Sequence, residues 1–135
     1  MLHISCSTIS AKPIKMSDFG DNPGELTAQF LAPSKPNVPL IILLHGCGQQ
    51  AIELADKTSL IEAANDLGFG LLLPQQKLSN NQQACFSWFN SKDTDKGQGE
   101  TASIMALVKS VKAKNKFSKI YLAGISAGGA MTAAL

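Results

Sequence analysis

Gly124-Ile125-Ser126-Ala127-Gly128 has the form G-x-S-x-G, with an apolar run at residues 120–123 before it and a stretch of small residues after it. A serine at a sharp strand-to-helix turn projects its hydroxyl above a sheet, where it can attack an acyl carbon. Glycines two residues to either side relieve crowding against the neighbouring strand and helix. The amide of Ala127, at the helix start, is then placed to donate to the oxyanion that forms as Ser126 attacks a carbonyl. A second donor belongs in the loop after an earlier strand, and His45-Gly46-Cys47-Gly48 occupies that place. Its glycines let backbone amides approach a substrate oxygen, so the amide of Cys47 is assigned, with that of Gly48 next. The chemistry is acyl transfer. A glycine-rich turn with a capping serine would explain the pentapeptide alone, but not the pentapeptide joined to an HG-x-G loop. A phosphate loop would need GxxxxGK[ST] or GxGxxG, and neither occurs.

A serine nucleophile also needs a base that can reach it. His45 directly precedes the oxyanion glycine at a strand end, a position that reads as a brace for the loop rather than as the general base. His3 reads as a surface residue of the N-terminal segment. In the chain order nucleophile, acid, base, the partners follow the serine, yet nine residues follow Ser126 and none is Asp, Glu or His. The expectation is that residues 1–135 are the N-terminal part of a single catalytic domain, truncated after the elbow as a partial or frameshifted product with little or no turnover.

The elements that must position these residues are legible in the apolar pattern. Proline and glycine limit residues 1–39 to short extended pieces, at 4–9 and 26–31, in an antiparallel hairpin or meander. Residues 40–44 are continuously apolar and branched, as in a strand buried on both faces of a parallel sheet. Apolar residues at helical spacing predict one amphipathic helix over 52–67, stopped by Gly68. A second buried strand follows at 69–73, closed by Pro74. Residues 75–99 are polar and read as a long loop bordering the site. A helix is predicted over 100–114, with Glu100 facing its N-terminal dipole, and a third strand at 120–123. The class is α/β with parallel strands.

Composition excludes several functions. A hydrophobic content of 44% with 16% charged residues describes a chain that packs a core. Twelve Lys+Arg against ten Asp+Glu leave a formal charge of +2, and the only basic cluster, Lys109, Lys112, Lys114, Lys116 and Lys119, lacks aromatic partners. It reads as a solvated face, with no nucleic-acid partner. No apolar run approaches the ~20 residues of a membrane span, so no membrane insertion is expected. Residues 1–10 show no secretory-signal pattern. Cys6, Cys47 and Cys85 have no metal-ligand spacing and read, by composition, as buried thiols.

From Pro39 onward the sequence resembles the poly(3-hydroxybutyrate) depolymerase and feruloyl or acetylxylan esterase family of the α/β-hydrolase fold. The resemblance is carried by Leu43-Leu44-His45-Gly46-Cys47-Gly48-Gln49-Gln50, Cys85-Phe86-Ser87-Trp88-Phe89, Gly99-Glu100-Thr101-Ala102-Ser103-Ile104, and Gly124-Ile125-Ser126-Ala127-Gly128-Gly129-Ala130-Met131. It implies a three-layer sandwich on a mostly parallel sheet, and an extracellular or periplasmic serine esterase with no metal or organic cofactor. It also implies ester substrates such as hydroxyalkanoate polymers, their oligomers or acylated polysaccharides. A Cys47–Cys85 disulfide and a substrate cleft lined by Trp88 and Phe89 are likewise implied by the resemblance. Two other readings use the same residues: a non-catalytic remnant or binding module that keeps the cleft, and a serine peptidase, since elbow and oxyanion hole serve amides as well as esters.

Overall fold

A computed structural model describes residues 10–135. The chain order is β1 (Ile14–Lys15), β2 (Thr27–Leu31), β3 (Val38–Leu44), α1 (Ala51–Lys57), α2 (Leu60–Leu67), β4 (Gly70–Gln75), α3 (Ser91–Thr94), α4 (Gly99–Lys114), β5 (Phe117–Gly124) and α5 (Ala127–Ala134). The extended piece expected at 4–9, with His3 and Cys6, lies outside the described residues.

The strands form one sheet in the order β1-β2-β4-β3-β5. β3 lies parallel to both β4 and β5, while β2 runs antiparallel to β1 and to β4. The sheet is therefore mixed, with its parallel half at the candidate site. Parallel neighbours need crossovers, and the α1–α2 and α4 segments supply them.

Alternation along the strands divides the core in two. Leu40, Ile42, Leu44 and Leu72 face Ile104, Leu107, Val108 and Val111 of α4 and Met131 of α5. Leu43, Leu71 and Leu73 face Leu54 and Ala55 of α1 and Ala64 of α2. Helices thus cover both faces of β3 and β4, which is why these strands read as unbroken apolar runs, while β5 at the sheet edge is exposed along most of its length.

Two elements depart from the sequence expectation. The helix predicted over 52–67 is two helices, because the Thr58 hydroxyl donates to the carbonyls of Leu54 and Ala55 and Ser59 adopts a left-handed conformation, φ 59. Such back-bonding by a hydroxyl competes with continuation of the helix. Gly68 does end the second helix, in the left-handed region at φ 81 with its N–H on the Ala64 carbonyl. Pro74 lies inside β4 rather than closing it and stands opposite Ala28. The β3–β4 register ends at Ile42↔Leu72, so the missing proline N–H interrupts nothing on that side.

Leu72 is fully buried between the sheet and α4. Leu72→Ala is expected to cost about 2–5 kcal/mol, read as a lower midpoint in urea denaturation with an unchanged slope.

Candidate active site

Ser126 is exposed and precedes α5 with φ 53 and ψ −118, outside the conformations that L-residues ordinarily adopt. The surrounding backbone maintains this. The Ile125 N–H donates to the Leu44 carbonyl at 3.1 Å, Gly128 N–H to the Ile125 carbonyl at 3.0 Å, and Ala130 N–H to the Ser126 carbonyl at 2.9 Å. The two flanking glycines are required by space. A Cβ on Gly124 would stand 2.4 Å from the Gly128 carbonyl oxygen, and one on Gly128 would stand 2.2 Å from that of Leu44. The turn closes only because both lack side chains.

The His45–Gly48 loop leaves β3 beside this turn. A Cβ on Gly46 would lie 3.5 Å from the Ile125 carbonyl oxygen. Within the loop, the Gly46 N–H donates to Gln49 Oε1 at 2.7 Å and the Gln49 N–H to the Gly46 carbonyl at 3.2 Å. Gly48 takes φ +69. The N–H groups of Cys47, Gly48 and Ala127 find no acceptor among the described residues. Open backbone donors on two adjacent segments are what a developing oxyanion requires.

His45 is fully buried. Its Nδ1 lies 2.6 Å from the Gly46 carbonyl oxygen and its Nε2 accepts the Gln76 N–H at 3.0 Å. A carbonyl partner places the proton on Nδ1 and an N–H partner leaves Nε2 bare, so the hydrogen bonds select one neutral tautomer. Burial holds the pKa below the usual histidine value, only partly offset by the bond to Gly46. The ring packs on Phe86, centroids 4.8 Å apart. Neither nitrogen is left for Ser126, and no other histidine lies among the described residues.

Cys47 and Cys85 are joined as a disulfide across 38 residues, tying the His45–Gly48 loop to the segment between β4 and α4. Asn81 holds the Cys85 backbone on both sides, its Nδ2 donating to the carbonyl at 2.7 Å and its Oδ1 accepting the N–H at 2.9 Å. Trp88 and Phe89 follow as a T-shaped pair, centroids 5.8 Å apart, and both are exposed. Gly48 and Gln49 of the loop also line a cleft of about 310 Å³, together with Gln75, Leu78 and Ala84.

Residues 27–135 match the family described as "Esterase PHB depolymerase". The chain belongs to this family. It is 38% identical over 98% of its length to a poly(3-hydroxyalkanoate) depolymerase C of Paucimonas lemoignei. It is 31% identical over 96% of its length to a feruloyl esterase B of Thermothelomyces thermophilus. The chain spans 32% and 45% of the length of these two relatives. Its fold matches that of an acetyl xylan esterase from Aspergillus awamori with a TM-score of 0.80 at 22% identity, over 92% of this chain and 46% of that one. The fold is accordingly that of the α/β-hydrolases.

Within this esterase-family fold, sequence reasoning missed Gln76 and gave Glu100 only a dipole role. Glu100 is 2% exposed, and its carboxylate accepts the Ser87 N–H at 2.8 Å and Gln76 Nε2–H at 2.5 Å. Burial raises its pKa, opposed by the bonds to Ser87 and Gln76 and assisted by nearby Asp93. A signal was present: polar residues stand where a buried strand ends (Gln75, Gln76) and where a helix begins (Glu100). Their mutual approach depends on the intervening loop, which carries no periodicity.

Gly128→Ala is expected to cost on the order of 3–5 kcal/mol, because backbone oxygens must move. Gly129→Ala, whose nearest contact would be 3.2 Å away, should stay within about 1 kcal/mol of wild type; paired denaturation curves check both. His45, with its folded-state pKa lowered, contributes stability that is intact above its unfolded value near ~6.5 and lost as pH falls toward the folded value. His45→Gln keeps a donor and an acceptor but does not titrate. It should cost about 1–3 kcal/mol at pH 7, and the deficit should narrow by pH 5, measured by urea titration at both pH values.

Proposed function

We propose that the protein of which these residues form part is a carboxylic-ester hydrolase working through an acyl-enzyme on Ser126. The observation that carries this is the backbone of Ser126, strained at φ 53 and ψ −118 at the head of α5, with the open amides of Ala127 and Cys47 close by. In this reading Ser126 Oγ bonds to the ester carbonyl carbon while the carbonyl oxygen, gaining charge, accepts from the N–H groups of Cys47 and Ala127, with Gly48 next. Collapse of that intermediate releases the alcohol with a proton and leaves the acyl group on Ser126, and water then cleaves the acyl bond. The base that accepts the Ser126 proton is outside the described residues, since both nitrogens of His45 are occupied. His45, Gly46, Gly124 and Gly128 shape the elbow and oxyanion loop.

The substrate class is an ester of a hydroxyalkanoate polymer or oligomer, or of an acylated polysaccharide. Similarity to a depolymerase, a feruloyl esterase and an acetyl xylan esterase supports this. The exposed Trp88–Phe89 pair offers an apolar surface beside the oxyanion loop for such a chain. Residues 1–135 form the N-terminal part of a single catalytic domain, consistent with one continuous sheet and with the share of the relatives that the chain spans. An extracellular or periplasmic location is supported by the Cys47–Cys85 disulfide, because such bonds persist in oxidising compartments. No helix of the described residues is long and apolar enough to cross a membrane.

The test is reaction with a fluorophosphonate ester followed by intact-mass and peptide mapping, alongside hydrolysis of short p-nitrophenyl acyl esters. A single adduct on Ser126, lost together with ester turnover in Ser126→Ala, is the expected result. Ester binding that survives in Ser126→Ala with no adduct in the wild type would favour the non-catalytic reading instead.

A further inference from the structure

Glu100 is a buried carboxylate that the acyl-transfer reading leaves without a task. Among the described residues the ion pair is Lys57–Glu53, so no cation neutralises Glu100. Its charge is met by N–H donors: the Ser87 N–H at 2.8 Å and Gln76 Nε2–H at 2.5 Å. Burying a carboxylate this way is costly compared with packing an apolar side chain there. The gain lies in direction rather than in stability.

Gln76 makes the direction specific. Its Nε2 donates both to Glu100 Oε1 and to the Cys85 carbonyl at 3.0 Å, while its Oε1 accepts from the Lys77 N–H at 2.9 Å and from Asn80 Nδ2 at 2.5 Å. All four positions of the amide are used, so the side chain has one orientation. Its backbone N–H is the donor to His45 Nε2. Glu100 is itself fixed: it stands in the first turn of the sixteen-residue helix α4, its N–H on Asp93 Oδ1 at 3.3 Å and its Cα against Gly24, where a Cβ would come within 2.6 Å.

We propose that Glu100 is a positioning residue of the acyl-transfer site, setting through Gln76 and Ser87 where the oxyanion loop and the Trp88–Phe89 segment stand relative to each other. This deepens the esterase reading and rests on it. One oxygen of the carboxylate points to each segment: Oε2 to Ser87, directly before Trp88, and Oε1 to Gln76, which holds both Cys85 and His45. The disulfide joins the two segments at one point only. A single covalent link leaves rotation about itself, and the Glu100 bonds remove that freedom.

An amide at position 100 cannot reproduce this pattern. Its NH₂ would face either the Ser87 N–H or the Gln76 NH₂, and turning Gln76 over would break its bonds to Cys85, Lys77 and Asn80. Glu100→Gln is therefore the diagnostic variant, compared with Val111→Ala, a buried position on the same helix outside the network. Amide hydrogen exchange at Gln76 and Ser87 should accelerate about tenfold or more in Glu100→Gln beyond any change in Val111→Ala, as expected for a buried hydrogen bond lost locally. Trp88 is the only tryptophan, so acrylamide quenching of its fluorescence reads the second segment and should rise in the same variant. Where the wild-type protein hydrolyses p-nitrophenyl esters, Glu100→Gln should lower kcat about tenfold with little change in KM, the mark of oxyanion donors displaced in the transition state. Wild-type protection of both amides in Glu100→Gln, or equal loss in Val111→Ala, would overturn the proposal. Should Glu100→Gln not fold, Gln76→Met removes the bond to Glu100 Oε1, together with those to Cys85, Lys77 and Asn80, while keeping side-chain length, and wild-type exchange at the residue 76 amide there overturns it equally. Exchange and quenching need no turnover, so absence of ester hydrolysis would count against Ser126 chemistry without deciding the placement of the loops.

Discussion

At Gly128 the backbone of α5 lies against the carbonyl oxygens of Leu44 and His45, so close that a Cβ would stand 2.2 and 2.5 Å from them. This contact between the end of β3 and the first turn of α5 fixes the height of Ser126 above the sheet. The same β3 residues then continue into the loop that carries Cys47. The turn at Ser126 and the Cys47 loop are therefore two exits from one point of packed backbone atoms. Met131, fully buried one turn further along α5, keeps the helix seated on the sheet.

Outward from that point the structure relies on polar groups that are buried and paired. No buried side-chain nitrogen or oxygen among the described residues lacks a hydrogen-bond partner. His45 contributes shape and one donor–acceptor pair, not charge, since burial disfavours its protonated form. Together with Gln76 and Glu100 it replaces solvent beneath the loops with fixed dipoles, an arrangement that costs no reorganisation when charge develops nearby. The exposed pair Trp88 and Phe89 is carried by a segment whose base is pinned three times, by the disulfide, by Asn81 and by Glu100.

Much of this was legible in residue order. Unbroken apolar runs marked β3 and β4 because both faces of each are covered, and G-x-S-x-G announced the elbow because only glycines tolerate its closeness. Resemblance to the esterase family supplied the pairing of Cys47 with Cys85, which no local pattern determines. Three things were not legible. The break at Ser59 depends on Thr58 bonding back to its own helix, and Thr and Ser elsewhere do the same without ending one. The passage of β4 through Pro74 depends on where its pairing with β3 stops. The task of Glu100 depends on Gln76 and Ser87, brought to it by a loop that has no regular pattern of its own.

The register of β3 with β5 has a consequence for how the serine comes to be strained. β3 is made early in the chain, yet its neighbour on one side is β5, so that Leu40 stands beside Ile120 and Leu44 beside Gly124. Contacts so distant in sequence are slow to form, because a long loop must be closed before they return any free energy. Until β5 docks, nothing presses on residue 126 and its backbone is free to relax. The unusual dihedral angles at residue 126 thus depend on a pairing between strands far apart in sequence, and only chains in which β5 has docked beside β3 hold them.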